Sequence, residues 1–285
     1  MNEKSKVILV TGGAGFVGTT LCARLKGEGH RVISLDNYFT GLKENHVEGV
    51  EYREGSTKDV EKLVPEAPDL VFHLGEYSRT EESFNDIPLV WEYNMIGTHA
   101  VLEYCRKRSA KIVYAGSSTK YADNGAGRDQ SPYAWTKATN TDLVKNYGAW
   151  FGLPYAITYF YNVYGPRELS GKYGTVTAIF ERLRREGKPL TVREPGTQRR
   201  HFTHVDDIVD GLLLVGERGQ GDEYGLGSEE SFTILEVAQM FGGPIEMIPN
   251  RKGNRLDTKV DYSKAQREFG WKAYRRLKDY IAALQ

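Results

Sequence analysis

The sequence has no excess of charge of either sign, because 38 Lys and Arg residues are balanced by 38 Asp and Glu residues. This balance excludes a protein whose overall field attracts nucleic acid or an anionic membrane. Cysteine is scarce as well: the chain has only Cys22 and Cys105, and both fall in apolar helical patterns. Their placement predicts buried, reduced thiols and argues against a disulfide framework or a nucleophilic cysteine.

Long apolar segments are also missing from the sequence. No stretch reaches the roughly 18 apolar residues of a membrane-spanning helix, and the first ten residues lead into a strand pattern without the apolar core of a signal peptide. Internal repeats and low-complexity tracts do not occur either. We therefore expect a soluble, cytoplasmic protein that binds neither nucleic acid nor membrane and holds no metal.

Short apolar runs alternate with helical patterns through the first half of the 285-residue chain. Fully apolar runs suit parallel strands covered on both faces, so the alternation predicts βαβ units in a Rossmann-type, doubly wound α/β fold. After about residue 165 the pattern becomes irregular. We expect a nucleotide-binding domain at 1–165, with later segments returning to it, and a smaller, mostly helical lobe at 166–285. The predicted strands are Lys6–Val10, Arg31–Leu35, Val50–Arg53, Leu70–Leu74, Lys111–Ala115 and Tyr155–Tyr159, and the predicted helices are Phe16–Glu28, Val60–Val64, Val90–Arg108 and Tyr133–Phe151.

A glycine-rich turn follows the first predicted strand and precedes the first predicted helix. Gly12 permits a tight turn, Gly15 lets the backbone approach a pyrophosphate, and Gly18 allows close contact between helix and strand. Asp36, at the end of the second strand, is suited to accept hydrogen bonds from an adenosine ribose and would repel a 2′-phosphate. The pattern predicts NAD rather than NADP as cofactor; the alternative is a purely structural turn with a helix-capping Asp.

A second motif joins Ser117 to the segment that contains Tyr133 and Lys137. A Tyr and a Lys four residues apart lie on the same face of a helix, one turn from each other. Because the pKa of an unperturbed Tyr is about 10, a Tyr is a poor base at neutral pH, but a neighbouring ammonium favours the phenolate. A serine hydroxyl close by is suited to hold a substrate oxygen. The combination predicts proton abstraction from a hydroxyl as hydride leaves the same carbon.

These motifs, together with Tyr161–Pro166, resemble the extended short-chain dehydrogenase/reductases, and among them the NAD-dependent nucleotide-sugar epimerases and dehydratases, including the UDP-glucose 4-epimerases. The resemblance implies that the lobe at 166–285 binds the nucleotide sugar. It implies diphosphate contacts for Asn162, Arg200 and Arg251, each of which would otherwise be an ordinary turn or surface residue. The implied cofactor contacts are Gly12, Gly15, Phe16, Val17, Gly18, Asp36, Asn37, Leu74, Gly75, Asn94, Tyr133 and Lys137.

The family mechanism implies that Tyr133 takes a proton from the C4 hydroxyl of the sugar, that Ser117 binds the reacting oxygen, and that NAD takes the hydride. Return of the hydride to the other face of the 4-keto sugar gives C4 epimerisation. Ser118 and Thr119 stand where family dehydratases carry an acidic pair, which disfavours elimination. The open alternatives are a C4 oxidoreductase or keto-sugar reductase with exchangeable NAD, a dehydratase that uses Glu76, Glu81 or Glu82, and a noncatalytic nucleotide-sensing protein.

The chain departs from the family pattern at Glu76 and Arg79, where small or apolar residues are common. Either these side chains reach the sugar and read an unusual substituent, or they form a salt bridge at the mouth of the pocket. With Ser117 and Ser118, we include them among the predicted substrate-binding residues. Thr258 stands where some family members have a bulky residue, which predicts tolerance of a 2-acetamido group.

Two predicted helices, at 90–108 and 133–151, resemble the pair that forms a four-helix dimer interface in the family. They carry more aromatic residues than one core needs, which fits a homodimer, whereas packing against the sheet is the alternative. On family grounds we expect a role in making precursors for surface polysaccharides or glycoconjugates. The aromatic residues concerned are Trp91, Tyr104, Trp135, Tyr147 and Trp150.

Overall fold

The computed structural model describes residues 5–121, 123–250 and 260–284, and strands and helices are numbered here in chain order. Its centre is a sheet of seven strands, in which every neighbouring pair is parallel. These strands are β1 (Val7–Thr11), β2 (Arg31–Asp36), β3 (Glu51–Glu54), β4 (Leu70–His73), β5 (Lys111–Ser117), β6 (Tyr155–Phe160) and β11 (Gly221–Leu226). Their order is β11-β6-β5-β4-β1-β2-β3. The Rossmann-type doubly wound sheet predicted from the sequence is thus confirmed.

Helices cover both faces of this sheet, which explains why its central strands are apolar throughout. One face packs under α2 (Val60–Leu63), α4 (Gly97–Arg108) and α5 (Pro132–Phe151). The other face packs under α1 (Phe16–Gly27), α7 (Val205–Arg218) and α9 (Ser263–Phe269). Both cysteines are free thiols buried in these two layers, as the sequence predicted.

A long helical segment leads into the site from one side. It begins with α3 (Ile87–Val90), passes through a π-helical stretch at Trp91–Ile96, and continues as α4. Such stretches are often found at functional sites, because an inserted residue redirects the side chains around it. The sequence pattern predicted one uninterrupted helix from Val90 to Arg108 and did not reveal this change of hydrogen bonding.

Helix α5 begins with a local signal that fixes the position of Tyr133. The Ser131 side chain caps the helix by accepting a hydrogen bond from the Ala134 N–H at 3.1 Å, and Pro132 occupies the first helical position. Tyr133 is therefore in the first turn, and Lys137 follows one turn later on the same face.

A third core lies beyond the main sheet, between α6 (Val176–Arg185), α8 (Ile234–Phe241) and α10 (Leu277–Ala283). Three two-stranded sheets accompany it. They pair β7 (Val163–Tyr164) with β10 (Thr203–His204), β8 (Leu190–Arg193) with β13 (Ile245–Ile248), and β9 (Arg199–His201) with β12 (Ser231–Thr233). Because α7, α9 and β11 from the 166–285 region pack in the layers of the main sheet, the division at residue 165 stays a prediction.

The aromatic residues of α4, α5 and the π-helical stretch divide into two groups. Tyr104 and Tyr147 are 0% and 5% exposed and belong to the core, so they supply no surface for a partner. Trp91, Trp135 and Trp150 are 49%, 40% and 61% exposed. No helix in the described part of the chain has the length and apolar character needed to span a membrane.

Candidate active site

A cavity of about 700 Å³ lies at the carboxyl ends of the central strands, near the point where the strand order reverses between β1 and β4. Parallel sheets bind ligands at this position because the loops after neighbouring strands diverge there. The glycine turn, the ends of β2, β4 and β5, and the start of α5 all contribute to its walls. Of the predicted site residues within the described ranges, all except Asn94 line this cavity.

The glycine turn has the shape that a dinucleotide requires. Gly12 has φ +74°, and a methyl group at Gly18 would lie 2.0 Å from the Gly12 carbonyl oxygen. Helix α1 begins after Gly15 without a side-chain cap and without an acidic residue in its first turn. Its first N–H groups therefore remain for another acceptor, which is the arrangement that binds phosphate groups.

Asp36 ends β2 beside this turn and is 6% exposed. Its carboxylate accepts hydrogen bonds from the N–H groups of Ala14 at 2.9 Å and Tyr38 at 2.8 Å, which hold it in place. Burial raises the pKa of Asp36, although these two donors oppose the effect. The further lone pairs of the carboxylate suit ribose hydroxyls. Turn, helix terminus and acidic residue together fit NAD, while the individual contacts stay predictions.

Ser117, Tyr133 and Lys137 come together in the wall of the same cavity. Ser117 is the last residue of β5, and its Oγ accepts a hydrogen bond from the Tyr133 hydroxyl at 3.1 Å. Lys137 is 5% exposed, and its Nζ donates to the Ala115 carbonyl oxygen, also on β5. A tyrosine hydroxyl within hydrogen-bond reach of a serine, with an ammonium one turn away, is suited to proton transfer at a bound hydroxyl group.

Lys137 also donates to Glu76, the residue that departs from the family pattern. The two side chains are 6% and 3% exposed, so the ion pair is buried rather than at the mouth of the pocket. Burial opposes ionisation of Glu76, but the Lys137 charge and the surrounding donors outweigh it and hold the pKa of Glu76 below its usual range. Whether Glu76 also contacts a sugar stays a prediction.

Three further donors surround the Glu76 carboxylate. Oε1 accepts from the Thr98 hydroxyl at 2.8 Å, the Asn140 amide at 2.8 Å and the Tyr114 hydroxyl at 3.2 Å. Lys137 lies 4.5 Å from the centre of the Tyr114 ring, close enough for a cation–π contact. The pair thus has enough partners to remain charged in a buried site.

The network continues from Thr98 to His73 and then to Thr11. His73 Nε2 lies 3.0 Å from Thr98 Oγ1, and its Nδ1 lies 2.7 Å from Thr11 Oγ1. Burial lowers the pKa of His73 to about 4, so its ring is neutral at pH 7. Because the Thr98 hydroxyl donates to Glu76, we assign the ring proton to Nε2, with Thr11 donating to Nδ1.

Asn94 lies in the π-helical stretch and is fully buried. Its Oδ1 accepts from the Tyr77 N–H at 2.7 Å, and its Nδ2 donates to Thr136 Oγ1 at 2.9 Å. These bonds fasten the loop after β4 to α5, so Asn94 positions two walls of the cavity. Its predicted contact with the cofactor remains untested.

The predicted substrate residues lie around the same cavity. Ser118 and Arg200 are buried, Asn162 Nδ2 donates to the His201 carbonyl oxygen at 3.0 Å, and Arg200 Nη1 donates to the Arg199 carbonyl oxygen at 2.8 Å. Arg79 Nε donates to the Tyr173 carbonyl oxygen at 2.5 Å. Arg251 and Thr258 lie outside the described residues.

The sequence interpretation missed five members of the buried network. Of these, only Asn140 had a usable sequence signal, because it follows Lys137 by one helical turn and therefore faces the same way. The other four come from separate elements, so they gave no local pattern that indicated a shared site: Thr98 and Tyr114 contact Glu76, and His73 and Thr11 are linked to it through Thr98. The five residues are Thr11, His73, Thr98, Tyr114 and Asn140.

The chain is similar in sequence and fold to known proteins. A family model described as NAD dependent epimerase/dehydratase matches residues 8–227. UDP-glucuronic acid decarboxylase 1 of Arabidopsis thaliana is 31% identical over 294 residues, which cover 95% of this chain and 67% of that protein.

Two solved structures have closely similar folds. The UDP-glucose 4-epimerase of Thermotoga maritima, crystallised with UDP-glucose, is 27% identical with a TM-score of 0.90, and the match covers 96% of each chain. The UDP-glucuronic acid 4-epimerase of Bacillus cereus, in complex with UDP-glucuronic acid and NAD, is 25% identical with a TM-score of 0.88, and the match covers 97% of each chain.

Proposed function

This chain belongs to the NAD dependent epimerase/dehydratase family, and we propose that it is a nucleotide-sugar 4-epimerase that works through a transient 4-keto sugar. The match to the family model confirms the family and the NAD cofactor predicted from the sequence. The observation that carries the proposal is the hydrogen-bonded Tyr133 and Ser117, with Lys137 one turn away, in a cavity that also contains the glycine turn.

In the proposed reaction Tyr133, as phenolate, removes the proton of the C4 hydroxyl while Ser117 donates a hydrogen bond to the same oxygen. When bound, NAD accepts the hydride from C4 and later returns it. The Lys137 ammonium stabilises the phenolate and is itself fixed by Ala115 and Glu76. After the keto sugar turns its other face to the cofactor, Tyr133 gives the proton back to the C4 oxygen.

Elimination of water is disfavoured by what lies next to Ser117. Ser118 and Thr119 carry no carboxyl group that would take a proton from C5 or deliver one to a leaving hydroxyl. The Thr119 hydroxyl instead donates to Ser117 Oγ at 2.9 Å, which supports the orientation of that serine. Glu81 and Glu82 form ion pairs with Arg193 at 2.9 Å and Lys172 at 3.2 Å, respectively.

The second candidate function is decarboxylation, which is favoured by the likeness to UDP-glucuronic acid decarboxylases. Oxidation at C4 of a sugar whose C6 is a carboxylate gives a β-keto acid. Carbon dioxide is then released when the C5–C6 bond breaks and its electron pair passes into the C4 carbonyl, and the resulting enolate takes a proton at C5. Ser118 and Thr119 offer no acid for that protonation, so epimerisation is the first choice.

The products of a nucleotide-sugar panel test the proposal. Purified protein, with no cofactor added, is incubated with UDP-, GDP-, CDP- and dTDP-sugars, and products are followed by proton NMR and mass spectrometry. A product of unchanged mass with inverted C4 stereochemistry supports the epimerase. Loss of water or of carbon dioxide, or turnover only with added NAD or NADH in stoichiometric amount, would refute it in favour of a dehydratase, a decarboxylase or an oxidoreductase.

A matched pair of variants ties any activity to the site. Tyr133→Phe removes the proton acceptor and is expected to lower kcat by at least about 100-fold, the usual contribution of a positioned acid or base. Tyr155→Phe makes the same chemical change at the first residue of β6. That residue does not line the cavity, whereas Phe160 at the other end of the strand does, so the variant should retain activity. Equal loss in both variants would contradict the role of Tyr133.

We also propose that the chain forms a homodimer through α4, α5 and the π-helical stretch. Its two free, buried cysteines suit a reducing compartment. Trp91 and Trp135 stack on the surface with ring centroids 6.0 Å apart, which exposes an apolar patch that a second copy would cover. Light scattering should give a dimer mass for the wild type and for Tyr274→Asp, a remote exposed position, and a monomer mass for Trp135→Asp. A dimeric Trp135→Asp variant would place the interface elsewhere.

A further inference from the structure

Arg79 occupies an unusual electrostatic position in the cavity wall. Its Nε donates to the Tyr173 carbonyl oxygen at 2.5 Å, and its Nη1 donates to the Ser78 carbonyl and hydroxyl oxygens at 3.0 and 3.1 Å. Its acceptors within the described residues are therefore all neutral oxygens, and they occupy Nε and Nη1. Within residues 5–121, 123–250 and 260–284, Nη2 has no hydrogen-bond partner and Arg79 forms no ion pair.

Three other cations that line the same cavity have carboxylate partners. Lys137 pairs with Glu76, Lys172 pairs with Glu82 at 3.2 Å, and Arg193 pairs with Glu81 at 2.9 Å. Each of these positive charges is thus neutralised by the protein itself. Arg79 differs from these three cations because no carboxylate in the described part of the chain forms an ion pair with it.

Glu168 is the carboxylate whose charge acts on Arg79 from nearby, but other groups already hold it. It accepts hydrogen bonds from the hydroxyls of Thr175 and Thr177 and from the Gly165 N–H. Burial raises the pKa of Glu168, which weakens its value as a counterion. The guanidinium of Arg79 thus remains available to an anion in the cavity.

The environment of Arg79 makes such an anion favourable. Partial burial in the cavity wall lowers the pKa of Arg79, yet an arginine stays protonated at neutral pH. A ligand carboxylate would offset part of this cost. The Arg79 Nη2, the nitrogen without a partner among the described residues, is free to donate a charge-assisted hydrogen bond to a carboxylate oxygen.

We propose that Arg79 receives a carboxylate group carried by the sugar, so that the substrate class is a nucleotide-linked uronic acid. This inference rests on the proposed function, because it uses Tyr133 as the base at C4. Arg79 and Tyr133 line the same cavity. A carboxylate at C6 is joined to C4 through C5 alone, so the same ring presents one group to Tyr133 and the other to Arg79.

A diphosphate is the competing anion, since every nucleotide sugar carries one. We expect the diphosphate near Asn162 and Arg200, which line the part of the cavity formed by β9 and the segment after β6. Substrates that share a diphosphate and differ only at C6 separate the two possibilities. If Arg79 binds the diphosphate, its removal weakens both members of such a pair equally.

The test measures binding rather than turnover. Tyr133→Phe protein loaded with NAD is titrated calorimetrically with three matched pairs: UDP-glucose and UDP-glucuronic acid, dTDP-glucose and dTDP-glucuronic acid, and GDP-mannose and GDP-mannuronic acid. For the nucleotide that binds best, we expect the acid to bind roughly 10- to 100-fold more tightly than the neutral sugar, the range for a hydrogen-bonded charge. In the Tyr133→Phe, Arg79→Gln double variant that preference should fall to less than about threefold.

Control variants and outcomes keep the inference separate from the proposed function. Arg185→Gln removes the same charge from an exposed position on α6 and should retain the preference for the acid. Equal weakening of both sugars by Arg79→Gln, or an unchanged preference, would overturn the role of Arg79. Tight binding of neutral sugars with no preference for the acid would overturn the inference alone, and no binding of any pair would overturn the proposed function as well.

Discussion

The buried pair of Glu76 and Lys137 has a measurable consequence for stability. Glu76→Ala would leave the Lys137 ammonium in a site almost inaccessible to water, with the Ala115 carbonyl oxygen and the Tyr114 ring as neutral partners and no anion among the contacts described. Thr98 and Tyr114 would lose the oxygen to which they donate. Removing one member of a buried ion pair costs about 3–5 kcal/mol. We expect Glu76→Ala to lower the free energy of unfolding by that amount at pH 7.

Equilibrium unfolding in urea, followed by circular dichroism and tryptophan fluorescence, measures the change. Glu61→Ala is the matched control, because Glu61 pairs with Lys107 at 2.8 Å while the two side chains are 54% and 47% exposed. Exposed pairs contribute about 0–1 kcal/mol. Should Glu76→Ala fail to fold, Glu76→Gln keeps one acceptor oxygen and is expected to cost about 1.5–3 kcal/mol, the range for hydrogen bonds to charged groups.

The pH dependence gives an independent check on the same pair. The pKa of Glu76 is lower in the folded protein than in the unfolded chain, where it is about 4.3. The stabilisation is therefore fully present above about pH 4.3 and is lost as the pH falls through the folded pKa. The difference in unfolding free energy between wild type and Glu76→Gln should shrink in acid. A cost for Glu76→Ala no greater than for Glu61→Ala would refute the reasoning.

Two further predictions concern the network and the cofactor turn. Because the pKa of His73 is about 4 in the folded protein and 6.5 in the reference state, the unfolded chain binds one more proton between these values. The free energy of unfolding should fall by roughly 3 kcal/mol as the pH is lowered through that range. In His73→Gln this pH dependence should weaken. If urea titrations at several pH values give the same pH dependence for His73→Gln as for the wild type, the prediction is contradicted. Gly18→Ala should lose NAD, measured as nucleotide released from the purified protein on denaturation, because the new methyl group would lie 2.0 Å from a backbone oxygen of the turn. Gly27→Ala, at the open end of the same helix, should retain NAD, and equal retention in both would contradict the close packing of the turn.

Most elements of the main sheet were predictable because each gives a local signal. Apolar runs and their flanking helical periodicity marked six of the seven parallel strands to within one or two residues. The seventh, Gly221–Leu226, carries two glycines and two acidic residues instead of an apolar run, and it becomes a strand by pairing with β6, more than sixty residues earlier in the chain. The smaller sheets were hidden for the same reason, since each joins segments far apart in sequence.

The sequence by itself determined the chemistry available at the site: a glycine turn, an acidic residue after the second strand, and a Tyr and Lys one helical turn apart. These features depend on backbone geometry and helical period, which act over a few residues. Only the tertiary structure decided that Glu76 pairs with Lys137 in a buried network, while Arg79 is without a carboxylate partner among the described residues. Such differences depend on which strands and helices bring their side chains together, and on how much water that packing excludes.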